Sequence, residues 1–256
     1  MKVMIDGKPC SAEPGQTVLE VARSAGIDIP TLCHHGALAP FSACRVCLVA
    51  VERNGRRMLL PSCSLDVEDE MVVETTAEDV DAVRTMILRL LLARCPGVEK
   101  VRELAARYGV TQSGFPEGDD DCILCGLCVR LCSELVGVHA LAFANRGVDC
   151  LVETPYGDPS EVCIGCGACA EVCPTGHIVV RESEGEREIV PFGTKHKLVA
   201  CPECGRGYVT EKQLAFLEQK LGEKSEILGG CPVCKGRRRA EELQKVYESL
   251  STPRRN

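Results

Sequence analysis

Alternating apolar and polar positions predict that residues 1–76 form a small β-rich domain. The stretch KVMID alternates, Asp6 and Gly7 form a hairpin turn signal, and KPCSAE returns as a second strand. A helix is then predicted over VLEVARSAG, which Thr17 caps and Gly26 ends. After a loop that contains cysteines, VCLVAVE and RRMLLP indicate two more strands, which Asn54–Gly55 connects.

Helical periodicity dominates the next part, residues 77–115, which we interpret as a helical linker. Pro96 divides it into two helices, and Gly109 ends the second. A polar segment, TQSGFPEGDDD, leads into a cysteine-rich domain over 116–185. The apolar positions at helical spacing are Val80, Val83, Ile87 and Leu91 in the first helix, and Val98, Val101, Ala105 and Tyr108 in the second.

A last small module is predicted over residues 195–256, with an amphipathic helix between two C-x-x-C pairs and a final helix after them. One side of the first helix contains Leu214, Leu217 and Leu221, and the final helix contains Leu243, Val246, Tyr247 and Leu250. The whole chain has 256 residues but only five Phe, four Tyr and no Trp. A large aromatic core is therefore not expected, and bound metal is expected to organise the small modules.

Cysteine content determines the class of chemistry that we expect. Nineteen residues are cysteine, and most of them fall in C-x-x-C units, which favour metal ligation over disulfides. The N-terminus, MKVMIDGKPC, has neither an apolar signal core nor a twin-arginine stretch. The longest apolar run, MILRLLLA, contains Arg89 and is too short to span a bilayer. We therefore expect a cytoplasmic protein in a reducing compartment, with no membrane insertion.

Charge argues against a nucleic-acid-binding protein. The formal net charge is −7, and basic residues are dispersed along most of the chain. An arginine-rich tail has no aromatic platform on which bases would stack, and the chain has no Trp; the tail contains Arg237, Arg238, Arg239, Arg254 and Arg255. An iron–sulfur regulator that binds nucleic acid is thus a disfavoured alternative.

The first group of cysteines has the spacing C-x10-C-x2-C-x15-C and comprises Cys33, Cys44, Cys47 and Cys63. Plant-type [2Fe–2S] proteins combine a ligand in a long loop, a C-x-x-C pair and a distant fourth ligand. The order strand, strand, helix, loop, strand, strand around these residues is that of a β-grasp ferredoxin. A zinc site is the alternative, but the flanking elements favour a [2Fe–2S] centre.

Two further groups repeat the spacing C-x2-C-x2-C-x3-C, and Pro174 follows the second. This is the pattern of bacterial two-cluster ferredoxins, in which the fourth cysteine of each run ligates the other cluster. Zinc is an alternative, although its sites use separated pairs rather than dense quartets. We assign Cys122, Cys125, Cys128 and Cys173 to one [4Fe–4S] centre, and Cys163, Cys166, Cys169 and Cys132 to the other.

A fourth group lies in the C-terminal module and comprises Cys201, Cys204, Cys231 and Cys234. Both pairs have the form CPxC followed soon by glycine, which is typical of the turns that hold structural zinc. Four sulfur ligands also suit iron, so a further iron site and no metal remain alternatives. The remaining cysteines, Cys10, Cys95 and Cys150, are interpreted as small buried apolar residues.

Residues 1 to about 180 resemble iron–sulfur electron-transfer subunits related to respiratory complex I. The resemblance is carried by CILCGLCVRLCSELVGVHALAFANRGVDCLVETPYGDP, by the following CIGCGACAEVCPTGHI, and by the long gap between Cys33 and Cys44. In layout the chain is similar to the small diaphorase subunit of NAD-coupled hydrogenases. It is also similar to the ferredoxin-like part of multisubunit, including electron-bifurcating, hydrogenases and formate dehydrogenases.

One feature of these relatives is missing from the linker. They usually insert a cluster held by one histidine and three cysteines, whereas LLARCPGVEKVRELAARYG contains Cys95 and no histidine. A single thiol cannot hold a cubane cluster, so we predict that the segment survives as helix without that cluster.

The sequence pattern and the resemblance together predict an α+β protein with four parts: a β-grasp [2Fe–2S] ferredoxin domain, a helical linker, a two-cluster bacterial ferredoxin-like domain and a small zinc-ribbon-like module. The last part follows from its CPxC pairs, since the resemblance ends near residue 180. The resemblance implies an electron relay between a flavin-containing, NAD(P)H-oxidising subunit and a hydrogenase or formate dehydrogenase subunit. A thioredoxin-like [2Fe–2S] subunit and soluble ferredoxin are further implied partners. No catalytic site of its own is apparent. The alternative function is a free-standing ferredoxin that shuttles electrons between separate enzymes.

Overall fold

The computed structural model describes residues 1–53, 55–221 and 228–251. They fall into two units, which are described separately. The first contains Met1–Glu153 and Ala168–Ile178, and the second contains Thr154–Gly167 and the chain from Val179 onward. The mixture of helices and antiparallel and parallel strands confirms the α+β class.

A five-stranded sheet forms the N-terminal part of the first unit. Its strands are β1 (Lys2–Ile5), β2 (Lys8–Ser11), β3 (Leu48–Arg53), β4 (Arg56–Pro61) and β5 (Met71–Glu74). Their order in the sheet is β2-β1-β5-β3-β4. The four strands that the sequence pattern predicts are confirmed, whereas Asn54 of the predicted turn lies outside the described residues.

The central strand, β5, was not predicted. It pairs in parallel with β1 and antiparallel with β3, so it joins the two hairpins into one sheet. Val73 is fully buried at the centre of this strand, and Met71 is nearly so. The short stretch MVVE gives little alternation to recognise, and its partner strands lie far away in the chain.

Helix α1 (Val18–Ser24) packs its apolar residues on this sheet. Thr17 accepts a hydrogen bond from the backbone N–H of Glu20, and the Glu20 carboxylate accepts one from the backbone N–H of Thr17. This reciprocal pair satisfies two N–H groups that a helix start leaves unpaired. Gly26 has φ of 74°, a left-handed conformation that ends the helix as predicted.

Two helices form the linker, α2 (Glu78–Arg94) and α3 (Glu99–Arg107), and the break at Pro96 is confirmed. The buried face of α2 differs from the predicted one by about one residue. It contains Val80, Arg84, Leu88, Leu92 and Ala93, whereas Val83 is exposed and Ile87 and Leu91 are only partly buried. The pattern of apolar residues alone missed this face because a charged residue, Arg84, lies within it.

Cysteine-rich loops and short elements complete the first unit. They are α4 (Leu127–Arg130), a π-helical turn over Leu131–Val136, the hairpin of β6 (Ala142–Ala144) and β7 (Leu151–Glu153), and α5 (Ala168–Glu171). The brevity of these elements is consistent with a segment that metal ligation, rather than a large apolar core, organises.

The second unit is built on a four-stranded antiparallel sheet that was not predicted. Its strands are β8 (Val179–Ser183), β9 (Glu186–Val190), β10 (Thr194–Ala200) and β11 (Gly207–Thr210), in the order β11-β10-β9-β8. Helices α6 (Glu211–Leu221) and α7 (Pro232–Ser251) confirm the two predicted helices. On α6 Leu214 and Leu217 are half-buried and Leu221 is exposed; the side chain of Leu250 lies outside the described part of α7.

Within the described ranges, no helix has both the length and the apolarity needed to cross a bilayer.

Packing of α1 on the sheet yields a stability prediction. Leu19 is fully buried, so Leu19→Ala should lower the free energy of unfolding by about 2–5 kcal/mol through lost apolar burial and the cavity left behind. Leu90 on α2 is 52% exposed, and the same change there should cost within about 0.5 kcal/mol. Anaerobic denaturant titration followed by circular dichroism measures both. Equal effects would contradict the described packing.

Candidate metal centres

The first cysteine group lies where the loop after α1 meets the ends of β3 and β4. Cys33 is in the loop, Cys44 and Cys47 precede β3, and Cys63 is in a 3-10 turn after β4. All four side chains are buried. The Cys33 Sγ accepts a hydrogen bond from the backbone N–H of Cys44 at 3.4 Å. Ser42 Oγ lies 3.5 Å from the Cys63 Sγ, so a hydroxyl group of the loop also contacts the sulfur in the 3-10 turn.

Hydrogen bonding between thiols groups these four sulfurs into two interacting pairs. Cys33 donates to Cys44, which lowers the pKa of Cys44 to about 6 and raises the pKa of Cys33. Cys47 donates to Cys63 in the same way, so that the pKa of Cys63 falls to about 6 and that of Cys47 rises. Sulfurs this close and this buried strongly resist carrying four negative charges unless a metal compensates them. The geometry thus fits the predicted [2Fe–2S] centre.

A residue that the sequence analysis missed holds the backbone beside this group. The guanidinium of Arg84, on α2, donates to the carbonyl oxygens of Val46 and Leu48, the residues on either side of Cys47. Arg84 lies four residues from both Val80 and Leu88, so it falls on a helix face that is otherwise apolar. That position is the signal in the sequence by which Arg84 can be identified.

The four cysteines assigned to the first [4Fe–4S] centre, from here on the second cysteine group, line one cavity in the first unit. The two C-x2-C-x2-C-x3-C runs are called the first cassette (residues 122–132) and the second cassette (residues 163–173). Cys122, Cys125 and Cys128 come from the first cassette, and Cys173 comes from the end of the second. The remaining walls are largely apolar and contain Ile123, Gly126, Val152, Pro174, Thr175, His177 and Ile178. The structure therefore brings together the four residues that the spacing assigned to one [4Fe–4S] centre, including the distant Cys173.

Burial and hydrogen bonding act in opposite directions on these thiols. Burial raises the pKa of all three thiols that the first cassette contributes to this cavity, and that of Cys125 rises to about 11. The other two are Cys122 and Cys128. Burial also opposes ionisation of Cys173, but hydrogen bonds from the Thr175 side chain and from nearby backbone N–H groups outweigh it and lower the pKa of Cys173. A cavity in which thiolates are costly favours a cationic metal centre that compensates their charge.

Close packing at Gly126 connects this cavity to the first cysteine group. Gly126 has φ of 73°, and a Cβ added there would lie 3.1 Å from Phe41 and 3.3 Å from Phe143. Phe41 belongs to the loop between Cys33 and Cys44, and the Arg130 guanidinium lies 5.2 Å from the centre of its ring. Glycine therefore suits the left-handed backbone conformation, and an added Cβ would require the rings of Phe41 and Phe143 to shift by a few tenths of an ångström.

The four cysteines assigned to the other [4Fe–4S] centre, from here on the third cysteine group, fall in different units. Cys132 and Cys169 belong to the first unit, and Cys163 and Cys166 to the second. Cys132 Sγ accepts from the backbone N–H of Ala140 at 3.3 Å, and Cys163 Sγ accepts from that of Gly165 at 3.4 Å. Each half thus carries the N–H to sulfur bond that metal-bound thiolates use, while the full set of four stays a prediction.

A buried histidine lies behind the turn that contains Cys163. A Cβ on Gly165, whose φ is 65°, would lie 2.5 Å from the ring of His196. His196 is 7% exposed, and its Nε2 is buried without a hydrogen-bond partner among the described residues. Burial, with Lys212 and Arg187 nearby, lowers the pKa of this imidazole. No sequence motif marks His196, so its burial beside this turn is not predictable from the sequence pattern.

The C-terminal cysteines form a compact group of four. Their sulfurs lie within 4.8 Å of one another, and all but Cys204 are buried. The separation of Cys204 Sγ and Cys231 Sγ is 3.8 Å. Sulfurs around a tetrahedral zinc ion, at Zn–S distances near 2.3 Å, are about 3.8 Å apart. The spacing of the sulfurs is therefore suitable for a single metal ion.

Backbone N–H groups support this C-terminal group. Cys201 Sγ accepts from the backbone N–H of Cys231 at 3.3 Å, and Cys231 Sγ accepts from that of Cys234 at 3.4 Å. Hydrogen bonds from the backbone N–H groups of Cys231 and Cys204 lower the pKa of Cys201 to about 6. Hydrogen bonding to the Cys231 sulfur raises the pKa of Cys234 to about 12. The second pair begins α7 rather than standing on a separate turn, because Pro232 starts that helix.

The unassigned cysteines differ in burial. Cys10 and Cys95 are buried, as predicted, and burial raises the pKa of Cys95 to about 12. Cys150 is only half-buried, and its carbonyl oxygen accepts a hydrogen bond from Arg94.

Comparisons with known proteins agree with the two ferredoxin-type motifs. Residues 1–78 match the family described as a 2Fe-2S iron-sulfur cluster binding domain, and residues 160–176 match the 4Fe-4S binding domain. The chain is 33% identical to a subunit of an NADH-quinone oxidoreductase of Rhizobium meliloti (strain 1021), over 81% of this chain and 27% of that protein. It is 35% identical to an NADP-reducing hydrogenase subunit, HndD, of Solidesulfovibrio fructosivorans, over 71% of this chain and 36% of that protein.

A solved structure supports the same relationship. A chain from the structure of an NAD+-reducing [NiFe]-hydrogenase in the H2-reduced state is 33% identical to this protein, and the two superpose with a TM-score of 0.53. The match covers 60% of this chain and 74% of the hydrogenase chain. The chain therefore belongs to the iron–sulfur subunits of complex I-related enzymes, with a [2Fe–2S] and a [4Fe–4S] binding domain. The match covers only part of each curated relative: 27% of the NADH-quinone oxidoreductase subunit and 36% of the NADP-reducing hydrogenase subunit.

Close contact at Gly126 predicts a local loss of metal binding. Gly126→Ala should reduce the iron bound by the first cassette, because the new methyl group would press on Phe41 and Phe143. Gly137→Ala is the matched control, since Gly137 has a similar φ of 77° but no atom within 4 Å of an added Cβ. Iron per chain and visible absorption after anaerobic purification measure the effect. Equal iron loss in the two variants would show that backbone strain, not packing, dominates.

Proposed function

We propose that this chain is an electron-transfer subunit that relays electrons between a flavin-containing, NAD(P)H-oxidising partner and a catalytic hydrogenase or formate dehydrogenase partner. The observation that carries the proposal is the single cavity in which Cys122, Cys125 and Cys128 meet Cys173. Such sharing between two cassettes is the arrangement of a two-cluster ferredoxin, a protein class whose function is electron transfer. The names of two relatives support the proposed partners: NADH-quinone oxidoreductase supports a partner that oxidises NAD(P)H, and NADP-reducing hydrogenase supports a hydrogenase partner.

In this proposal twelve cysteines hold three centres, each of which accepts and passes on one electron at a time. A [2Fe–2S] centre is held by Cys33, Cys44, Cys47 and Cys63. One [4Fe–4S] centre is held by Cys122, Cys125, Cys128 and Cys173, and the other by Cys163, Cys166, Cys169 and Cys132.

The chain's own residues keep these sites dry and stabilise charge on sulfur. Apolar side chains from one core pack around both Cys44 and Cys125, among them Leu88 and Leu92 of α2. Exclusion of water strengthens the hydrogen bonds from backbone N–H groups to sulfur, such as that from Leu124 to Cys122 at 3.4 Å. These contacts provide the means by which the protein would set each reduction potential.

For the C-terminal module we propose a structural zinc ion held by Cys201, Cys204, Cys231 and Cys234. Support comes from the convergence of the four sulfurs and from the scarcity of other buried residues in their immediate cluster. A metal would stabilise a module that lacks a large core of its own. We retain the four-part division at 1–76, 77–115, 116–185 and 195–256, with the last module serving as a zinc-ribbon-like docking piece.

The competing function is a free-standing ferredoxin that shuttles electrons between separate enzymes. A tagged copy purified anaerobically from its native cell and passed over a size-exclusion column distinguishes the two. Elution in a large complex with a flavoprotein and a hydrogenase or formate dehydrogenase supports the proposal, together with reduction of the bound chain by NADH or NADPH. Elution as a lone chain of 27.6 kDa supports the shuttle and contradicts the proposal.

Metal content provides a direct test of the cofactor assignment. Anaerobically purified protein should contain about ten iron atoms and about one zinc ion per chain, from one [2Fe–2S], two [4Fe–4S] and one S4 site. Elemental analysis measures both metals. Six iron atoms or fewer would contradict three iron–sulfur centres, and an eleventh iron in place of zinc would identify the C-terminal site as an iron site.

Crossed ligation predicts which centre each substitution damages. Cys132→Ser should impair the centre of the second cassette, although Cys132 lies in the first. Cys128→Ser is the matched control, because the same change four residues earlier should impair the centre of the first cassette. Electron paramagnetic resonance of the reduced variants separates the outcomes. Loss of the same signal in both variants would contradict the crossed assignment.

A further inference from the structure

Arg84 is the most deeply buried charged side chain described beside a candidate metal centre. It is 1% exposed and is among the largest fully buried side chains of the chain. Burial of a guanidinium is costly unless its donors and its charge are both satisfied, so its surroundings indicate what it is used for.

The hydrogen bonds of Arg84 converge on the backbone around Cys47. Its Nε donates to the Val46 carbonyl oxygen at 3.0 Å, and a terminal nitrogen donates to that of Leu48 at 2.7 Å. The same nitrogen donates to the carbonyl oxygen of Thr75, just beyond β5, at 3.1 Å. Two of the three carbonyl acceptors therefore flank a single cysteine, and the guanidinium fixes the peptide units on both sides of it.

The charge of Arg84 is only partly compensated. Its other terminal nitrogen lies 3.0 Å from the carboxylate of Asp81, which is 49% exposed and so is screened by solvent. The ring of Tyr108 lies over the guanidinium at 5.1 Å and adds a weak cation–π contact. The remaining partners are neutral carbonyl groups. A net positive charge is thus held in a low-dielectric environment next to the first cysteine group.

We propose that Arg84 is a positioning residue that fixes the backbone of Cys47 and raises the reduction potential of the [2Fe–2S] centre. The inference rests on the proposed ligation of that centre by Cys33, Cys44, Cys47 and Cys63. Reduction adds one negative charge to an iron–sulfur centre, and a buried cation nearby stabilises the reduced form more than the oxidised form. Asp81 moderates the effect, since it partly neutralises the guanidinium.

Opposite charge changes at Arg84 and Asp81 test this role. Arg84→Gln removes the cation but keeps an amide donor, and Asp81→Asn removes the partial counter-charge at a half-exposed position. Arg89→Gln is the matched control, because Arg89 is on the same helix and its Nε donates to the carbonyl oxygen of Ser113, away from the first cysteine group. Each variant is titrated anaerobically as the full chain, with the [2Fe–2S] signal followed by electron paramagnetic resonance.

The expected shifts have opposite signs. Arg84→Gln should lower the equilibrium constant for one-electron reduction of the [2Fe–2S] centre about tenfold, a shift of about 59 mV to more negative potential. Asp81→Asn should raise that constant about threefold, and Arg89→Gln should leave it unchanged. The [4Fe–4S] signals of the same samples provide an internal reference that should not move with either substitution.

Several outcomes would overturn the proposal. An unchanged [2Fe–2S] potential in folded Arg84→Gln would show that Arg84 only holds the backbone in place. Shifts of the same sign in the Arg84 and Asp81 variants would lead to the same conclusion. If Arg84→Gln fails to fold, Asp81→Asn and Arg84→Lys decide: the potential must rise in the first and stay near that of the unmodified protein in the second. Absence of any [2Fe–2S] signal from the unmodified chain would instead refute the cofactor assignment itself.

Discussion

Burial of negatively charged sulfur is the constraint on which the rest of this structure depends. A thiolate removed from water must find hydrogen-bond donors or positive charge, and each cysteine group obtains donors from the backbone. N–H to sulfur bonds of 3.3–3.4 Å occur at Cys33, Cys122, Cys132, Cys163 and Cys201. The donor lies within two residues of its sulfur at Cys122 and Cys163, so the local path of the chain is set by its cysteines.

This constraint explains the unusual backbone of the cassettes. An N–H two residues after a ligand can point back to its sulfur only if the chain turns sharply. Gly165 turns in the left-handed region after Cys163, with φ of 65°, and Leu124 does so after Cys122, with φ of 52°. The left-handed conformation carries a steric cost for leucine, which a stabilised thiolate offsets. Gly126 and Gly167 continue the same pattern with φ of 73° and 77°.

Sequence reasoning succeeded where the determinants are local. The Thr17 cap, the Asp6–Gly7 turn and the break at Pro96 depend on neighbouring residues, and the structure confirms the elements that they delimit. It failed where partners are distant. Strand β5 and the sheet of β8–β11 are short elements defined by pairing rather than by periodicity. The burial of Arg84 is not predicted, because the spacing of apolar residues does not place a cation on the buried face of a helix.

Helix α2 belongs to a linker that contains a single cysteine, Cys95, yet the helix contacts two of the cysteine groups. Arg84 binds carbonyl groups beside Cys47, and Arg94 donates to the carbonyl oxygen of Cys122 at 2.8 Å. Ten residues separate the two arginines, which corresponds to about 15 Å along a helix axis. One rigid element thus contacts the backbone of two cysteine groups at a fixed spacing. Electron transfer depends steeply on distance, so the proposed relay requires a fixed separation of these two groups, which α2 helps to maintain.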